Sequence, residues 1–331
     1  MTRSFAIAAI AVVLPALPCV AAEMQPAVVF DMGGKFDKSF NESVHNGAEA
    51  FSKASGIAVR EFEPQNDTQR EQALRNFARR GADPIVAVGF NQASAVKAVA
   101  AEFPALRFVI IDSVVEAPNV QSILFREEQG SYLAGMMAGL KSASGTVGFV
   151  GGMDVPLIRK FACGYVQGAH AVNPKIVVLQ NMTGSTPAAW NDPVRGAELA
   201  RSQIERGADV IFQAAGATGT GVLQAAADAG KFGIGVDSNQ DYLHPGHVLT
   251  SMVKELDVAT QTTLKAAQTG DWTAGTLVLC VKEGGVGVSF DEFNKGLVTA
   301  EMMTKVGAAR EAIAAGTLEV HDYMTDSRCP G

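Results

Sequence analysis

The segment Arg80-Gly81-Ala82-Asp83 occurs again as Arg206-Gly207-Ala208-Asp209, 126 residues later. Each copy follows an amphipathic helical pattern. Each precedes a strand, a helix and a second strand that stops at an aspartate, Asp112 in one case and Asp237 in the other. Taken alone, R-G-A-D is an ordinary helix stop followed by a strand start. A register shared from the helix through to the aspartate implies two similar α/β lobes. A chain of 331 residues is long enough to give each its own core.

The surrounding pattern agrees. Residues 27–31 (AVVFD) form a short apolar run, the kind buried on both faces of a parallel sheet. Strands are expected at 57–62, 85–90, 107–112, 146–151, 177–180, 210–214 and 232–237. Helices are expected at 71–80, 92–102, 130–140, 162–172, 192–206 and 219–229, and another where Phe40, Val44, Ala48 and Phe51 recur at helical spacing. Such alternation predicts parallel sheets with helices on both faces. Ligands of open parallel sheets bind outside the strands' carboxyl ends. Those ends are Asp31, Phe90-Asn91, Asp112, Asp154, Gly216 and Asp237. Each carboxylate taken singly reads as a cap or turn residue. As a set they line one rim of each sheet, and facing rims would enclose a cleft.

The loop GGKFDKSFN, residues 33–41, is neither a P-loop nor G-x-G-x-x-G. Ser39 reads as a helix N-cap, with Asp37 at the positive helix end. Phe40 is either core or an aromatic wall for a planar ligand. The run GATGTG, residues 216–221, lacks the lysine of a phosphate cradle and reads as close backbone packing against a ligand or helix. Catalytic signatures are missing. None of the five histidines lies in H-E-x-x-H, there is no G-x-S-x-G elbow, and His244 and His247 flank a Pro-Gly turn.

The amino terminus reads as an export signal. Arg3 is followed by an apolar run from Phe5 to Leu17, too short to anchor in a bilayer, and Val20-Ala21-Ala22 fits cleavage after Ala22. Pro18 before Cys19 argues against lipidation. The chain carries 34 acidic against 27 basic residues, for a net charge of −7, so nucleic acid is not an expected partner.

Several stretches together resemble one family. They are DKSFN (37–41), GSYLAG (130–135), GFVGGMDVPLIRKFACGYVQG (148–168), AGATGTG (215–221), GVDSNQ (235–240), and SMVK (251–254) followed by Asp257-Val258. In order, they span nearly all of the chain after the signal. The sequence is similar to the BMP (basic membrane protein) family of ABC-transporter substrate-binding proteins, of the PnrA-like purine nucleoside type.

The resemblance implies an α/β type I periplasmic-binding-protein fold: two Rossmann-like lobes joined by a three-crossover hinge. The expected division is a signal peptide at 1–22, an N-terminal lobe of 23–126 plus 253–281, and a C-terminal lobe of 127–252 plus 282–331. The implied function is that of a monomeric periplasmic binding protein, not an enzyme and without a cofactor. It would deliver a purine nucleoside to an ABC permease and its ATPase. Another small neutral ligand (a free base, a sugar, a flavin) and an exported nucleoside-acting enzyme are the alternatives. Carried over, Phe40 would stack on the base, and Asn91 and Asp112 would bond its edge. Asp237, Lys254 and the Gly216 backbone would hold the ribose, with Asp31, Ser39 and Asn41 in support. The opposing aromatic would be Phe212 or Trp190. Against the family pattern, Cys280 replaces a usual glycine and Cys329 lies in a tail that usually lacks cysteine. Cys163 lies in the shared stretch and is expected as a buried small hydrophobe. A Cys280–Cys329 disulfide is therefore expected.

Overall fold

A computed structural model describes residues 24–330. The expected signal peptide, its cleavage site and Cys19 lie outside the described residues. The chain runs β1 (Ala27–Val29), α1 (Phe40–Ser55), β2 (Arg60–Phe62), α2 (Asp67–Arg79), β3 (Ile85–Ala87), α3 (Ala93–Glu102), β4 (Phe108–Ile111) and β5 (Val120–Phe125). It continues through α4 (Glu127–Lys141), β6 (Thr146–Met153), α5 (Pro156–Val172), β7 (Val177–Gly184), α6 (Pro193–Glu205), β8 (Val210–Ala214), α7 (Thr218–Asp228), β9 (Phe232–Asp237) and β10 (Val248–Lys254). The last elements are α8 (Leu256–Thr269), β11 (Gly275–Leu279), β12 (Val286–Val288) and α9 (Ala300–Ala314).

Two six-stranded sheets result, in orders β11-β5-β4-β3-β1-β2 and β12-β10-β9-β8-β6-β7. The orders match position for position, so β3 and β4 correspond to β8 and β9, the strands that follow the two R-G-A-D copies. The match breaks at one edge: β11 runs parallel to β5, whereas β12 runs antiparallel to β10. The repeat has a physical job. Gly81 and Gly207 stop α2 and α6 with φ of 71° and 98°, a region costly for any residue with a Cβ. Ala82 and Ala208 are then fully buried where the chain enters the sheet.

The chain passes between the sheets three times, at the junctions β5–α4, β10–α8 and β11–β12. These junctions are bonded together: Arg126 N–H donates to the Leu279 carbonyl and Glu255 N–H to the Gly285 carbonyl. The central strands β1, β3, β4 and β8 are buried throughout, the two-faced burial that their continuous apolar runs predict. Helices α4 and α5 pack very closely. A Cβ at Gly168 would overlap the Tyr132 backbone, which explains a glycine in mid-helix.

Three local expectations are corrected. Ser39 occupies the α1 N-cap position but makes no capping bond. Asp37 caps instead, accepting the N–H groups of Ser39, Asn41 and Glu42. The strand expected at 57–62 is reduced to Arg60–Phe62 at the sheet edge.

The third concerns the disulfide. Cys163 is bonded to Cys329, and Cys280 is free. The carboxyl tail folds back onto α5, where Gln167 exchanges two hydrogen bonds with the His321 backbone. That return brings Cys329 to a Cα separation of 5.4 Å from Cys163, inside the range a disulfide requires. Cys280 sits at the third crossover, with its thiol against Glu283.

Candidate functional site

The carboxyl ends of the two sheets face each other across a cavity. Sheet order sets the positions along it. The crossovers lie beside β5, β10 and β11, so Asp112 after β4 and Lys254 at the end of β10 stand near the hinge. Asp31 after β1 and Asn91 after β3 stand farther out, as does Trp190, on a 3-10 turn (Pro187–Trp190) after edge strand β7.

Six of the sequence candidates line the cavity: Asp31, Phe40, Asn41, Trp190, Gly216 and Asp237. Phe40 is half-buried at the start of α1, with its ring turned to this space rather than wholly to core. Gly216 takes a φ of 57° and sits 3.4 Å, measured from a built Cβ, from the Trp190 carbonyl. Close backbone approach is thus the role of this glycine, and Gly221 likewise abuts the Pro193 backbone between α6 and α7. The Trp190 turn is held by Thr183 and Thr218, whose hydroxyls both donate to the Ala189 carbonyl.

Phe212 does not reach the site. It is fully buried on β8 against Phe149 and Tyr165, at ring separations of 5.5 and 5.3 Å. Its alternation register points it into the core, where burying a Phe contributes roughly 1.5–3 kcal/mol. Trp190 is the aromatic that faces the cavity. Phe90, named with Asn91 as a strand end, also stands on the wall; the residues missed by sequence reasoning are Leu157, Ile158 and Phe161, which supply apolar wall. Leu157 to Phe161 lie inside the long 148–168 motif, so their motif could have flagged them.

Ser39 bridges the lobes. Its hydroxyl donates to Asp237 Oδ2 at 2.6 Å, while Ser238 donates back to the Ser39 carbonyl and Gln240 to the Lys38 carbonyl. Asp237 has its pKa raised by burial, against the opposing pull of Lys254 and the Ser39 hydrogen bond.

Asp112 and Lys254 are likewise off the cavity wall. Lys254 Nζ lies 2.7 Å from both Asp112 oxygens and 2.9 Å from Glu127. Burial works against the Lys254 charge, yet Asp112, Glu127 and Asp237 outweigh it and hold the ammonium well above its usual range. Burial pushes Asp112 up to about 6 despite Lys254. The ammonium also lies 4.8 Å from the Phe125 ring and 5.2 Å from the Phe40 ring, so it supports one cavity wall from behind. The chain of charges continues from Glu127 to Lys160 at 2.9 Å and on to Glu128. Both Asp112 oxygens thus already accept from the Lys254 ammonium in this arrangement.

At the outer end, Arg70 on α2 donates to Asp31 Oδ1 at 2.7 Å, and Met32 N–H donates to the same oxygen. Burial raises the Asp31 pKa, and Arg70 is the strongest influence opposing it. Arg70 is 3% exposed, a buried cation that no local pattern announces. Asn91 lies with Arg70, Met153 and Pro187 around an adjoining opening, beside the main cavity rather than on its wall. Among the described residues, no group of three His, Cys, Asp or Glu side chains is disposed to hold a metal.

The comparisons agree with this architecture. Residues 24–322 match the family model described as ABC transporter substrate-binding protein PnrA-like. The ABC transporter nucleoside-binding protein BmpA of Lactococcus lactis is 30% identical, over 91% of this chain and 90% of its own. The CD4+ T-cell-stimulating antigen of Listeria monocytogenes is 31% identical, over 89% of this chain and 87% of its own. An ABC transporter solute-binding protein of Aeropyrum pernix K1 is similar in structure, with a TM-score of 0.83, 27% identity, and coverage of 89% of this chain and 92% of its own.

Proposed function

We propose that this chain, which belongs to the PnrA-like family of ABC transporter substrate-binding proteins, captures a purine nucleoside between its lobes and delivers it to an ABC permease. The observation that carries the reading is Asp237 on the wall of an aromatic-lined cavity, clasped by Ser39 of the opposite lobe. Ser39 takes one oxygen. The other is an acceptor for a ribose diol, which brings two donors. Phe40 and Trp190 supply aromatic surface for the base, and stacking contributes roughly 1–3 kcal/mol per base in nucleic-acid sites. The name of the Lactococcus relative lends further support.

The hinge-end charges revise the assignment within this reading. Lys254 and Asp112 neutralise each other and brace the ribose end from behind. Asp31 and Asn91 stand at the outer end, where the base edge would lie. Asp31, Asp37 and Asp237 line the cavity without a lysine or arginine among its wall residues, so a phosphorylated ligand would be repelled. Hinge closure around the ligand follows, as in periplasmic binding proteins generally. The protein acts as an exported monomer in the periplasm, its signal cleaved after Ala22, working beside a permease and its ATPase. Native mass spectrometry of purified protein and titration with inosine test the reading. Stoichiometric binding without turnover supports it. Absence of binding by any purine nucleoside, or release of free base, overturns it.

A further inference from the structure

Hydrogen bonds pass between the lobes at the crossovers, at Lys254 and Asp112 beside them, and, among the described residues, at one further place. There, residues 38–39 of the β1–α1 loop meet residues 236–240, the end of β9 and the turn after it. The Ser39 hydroxyl donates to Asp237 Oδ2 and lies 3.3 Å from the Val236 carbonyl. Ser238 donates to the Ser39 carbonyl at 3.0 Å, and Gln240 Nε2 donates to the Lys38 carbonyl at 2.9 Å. Both ends of every bond are protein atoms, so forming them needs no ligand. The side of the β9 turn is set in advance. Gln240 Oε1 accepts from Val236 N–H and from Gln213 Nε2, and Gln240 N–H donates to the Ser251 hydroxyl, all within one lobe. Its amide is therefore already aimed when the other lobe arrives.

The other side is strained. Lys38 holds a φ of 62°, a region that residues with a Cβ seldom occupy and keep only where their surroundings impose it. The lobe repeat does not account for it, because the β6–α5 loop, in the matching place of the other sheet, has no positive φ. Nor does the Lys38 side chain, which is 43% exposed and paired with Glu42 one turn along. What that backbone does is present the Lys38 carbonyl to Gln240 and the Ser39 carbonyl to Ser238. We propose that residues 38–39 and 238–240 form a latch that closes the lobes without help from a ligand, with Lys38, Ser238 and Gln240 as positioning residues that set how much of the protein stands closed before capture. The bonds favour the closed form and the Lys38 backbone counts against it, so the lobes still part to admit and release cargo. The latch adds to whatever closing free energy the ligand contributes, whichever small molecule that is.

The test is small-angle X-ray scattering of the whole protein, freed of small molecules by dialysis in mild denaturant. The native protein is expected to scatter as a mixture of closed and open forms. Lys38→Gly and Lys38→Val both lose the exposed Glu42 ion pair, which is worth little, but they act on the backbone in opposite senses. Glycine adopts a positive φ freely and should raise the closed-to-open ratio by about threefold. Valine, branched at Cβ, resists it and should lower the ratio by about tenfold. Ser238→Ala removes one neutral hydrogen bond and should lower the ratio by about threefold. A purely structural role at these positions would change melting temperature and leave scattering alone. Scattering from the native protein as the open form only, or identical scattering from the native protein and its folded variants, overturns the inference. If Lys38→Val does not fold, Lys38→Gly and Ser238→Ala decide. A separate titration with inosine keeps the two readings apart: failure to bind it counts against the nucleoside reading and leaves the scattering result standing.

Discussion

Asp112 and Asp237 end corresponding strands in the two sheets, 125 residues apart, and both hold a left-handed backbone, with φ of 67° and 62°. Few non-glycine residues adopt that conformation, and it costs of the order of 1–3 kcal/mol. The duplication has preserved the strained turn and split its use. Asp112 is paired with Lys254 beside the hinge. Asp237 lines the cavity and takes the Ser39 hydroxyl from across the cleft.

Asp237→Asn should separate ribose binding from base binding. The amide keeps the size but replaces an acceptor with a donor. Hydrogen bonds to charged groups contribute roughly 1.5–3 kcal/mol, so inosine affinity is expected to fall by about tenfold or more. Hypoxanthine, which lacks the diol, should lose little. Calorimetry with both ligands checks this, and equal losses would refute the ribose role.

Lys254→Met should unfold the protein more readily. It leaves Asp112 buried without its partner, a change that typically costs about 3–5 kcal/mol. Adding Asp112→Asn removes the orphaned charge and is expected to recover part of the loss. Urea denaturation of the single and double variants measures both. No recovery in the double variant would show that the lysine acts through packing on Phe40 and Phe125 rather than through its charge.

Asp37 predicts a pH dependence of stability. Burial pushes its pKa up to about 7, against three backbone N–H groups that favour the charge. An unfolded aspartate titrates near about 4. The folded protein therefore binds the proton more tightly. The Asp37 contribution to stability is full below about pH 4 and is lost as pH rises through about 7, worth at most about 4 kcal/mol. Asp37→Asn removes the titration, so its stability should fall less than that of the native protein between pH 4 and 7. Parallel profiles would mean that Asp37 stays charged throughout.

The disulfide makes a chemical prediction. Of Cys163, Cys280 and Cys329, only Cys280 should alkylate in protein isolated without reductant. Peptide mapping should recover a Cys163–Cys329 cross-link. Cys329→Ser is expected to lower stability by about 2–4 kcal/mol, because the closed loop is long. A cross-link through Cys280 would contradict the tail's placement on α5.

The two lobes were legible in the sequence because their signals are local and repeated. Apolar runs of strand length, helical stripes such as Val44, Ala48 and Phe51, and the glycines that stop α2 and α6 each act over a few residues. Strand ends could be named for the same reason, and Asp31 and Asp237 do stand on the cavity. The motif stretches added the family that the fold alone would not distinguish.

What the tertiary structure decided is which neighbour each side chain meets. Phe212 and Trp190 were equal candidates in the sequence, but pleat direction on β8 sends one into the core while a turn after an edge strand leaves the other on the cavity. Asp112 became part of an ion pair because β10 delivers Lys254 from 142 residues away. Cys163 found Cys329 across a separation of 166 residues, since the tail returns to α5 and not to the crossover. Periodicity fixes which face a residue occupies within its own element. Contact between distant elements depends on sheet order and chain path, and these are set by burial summed over the whole molecule.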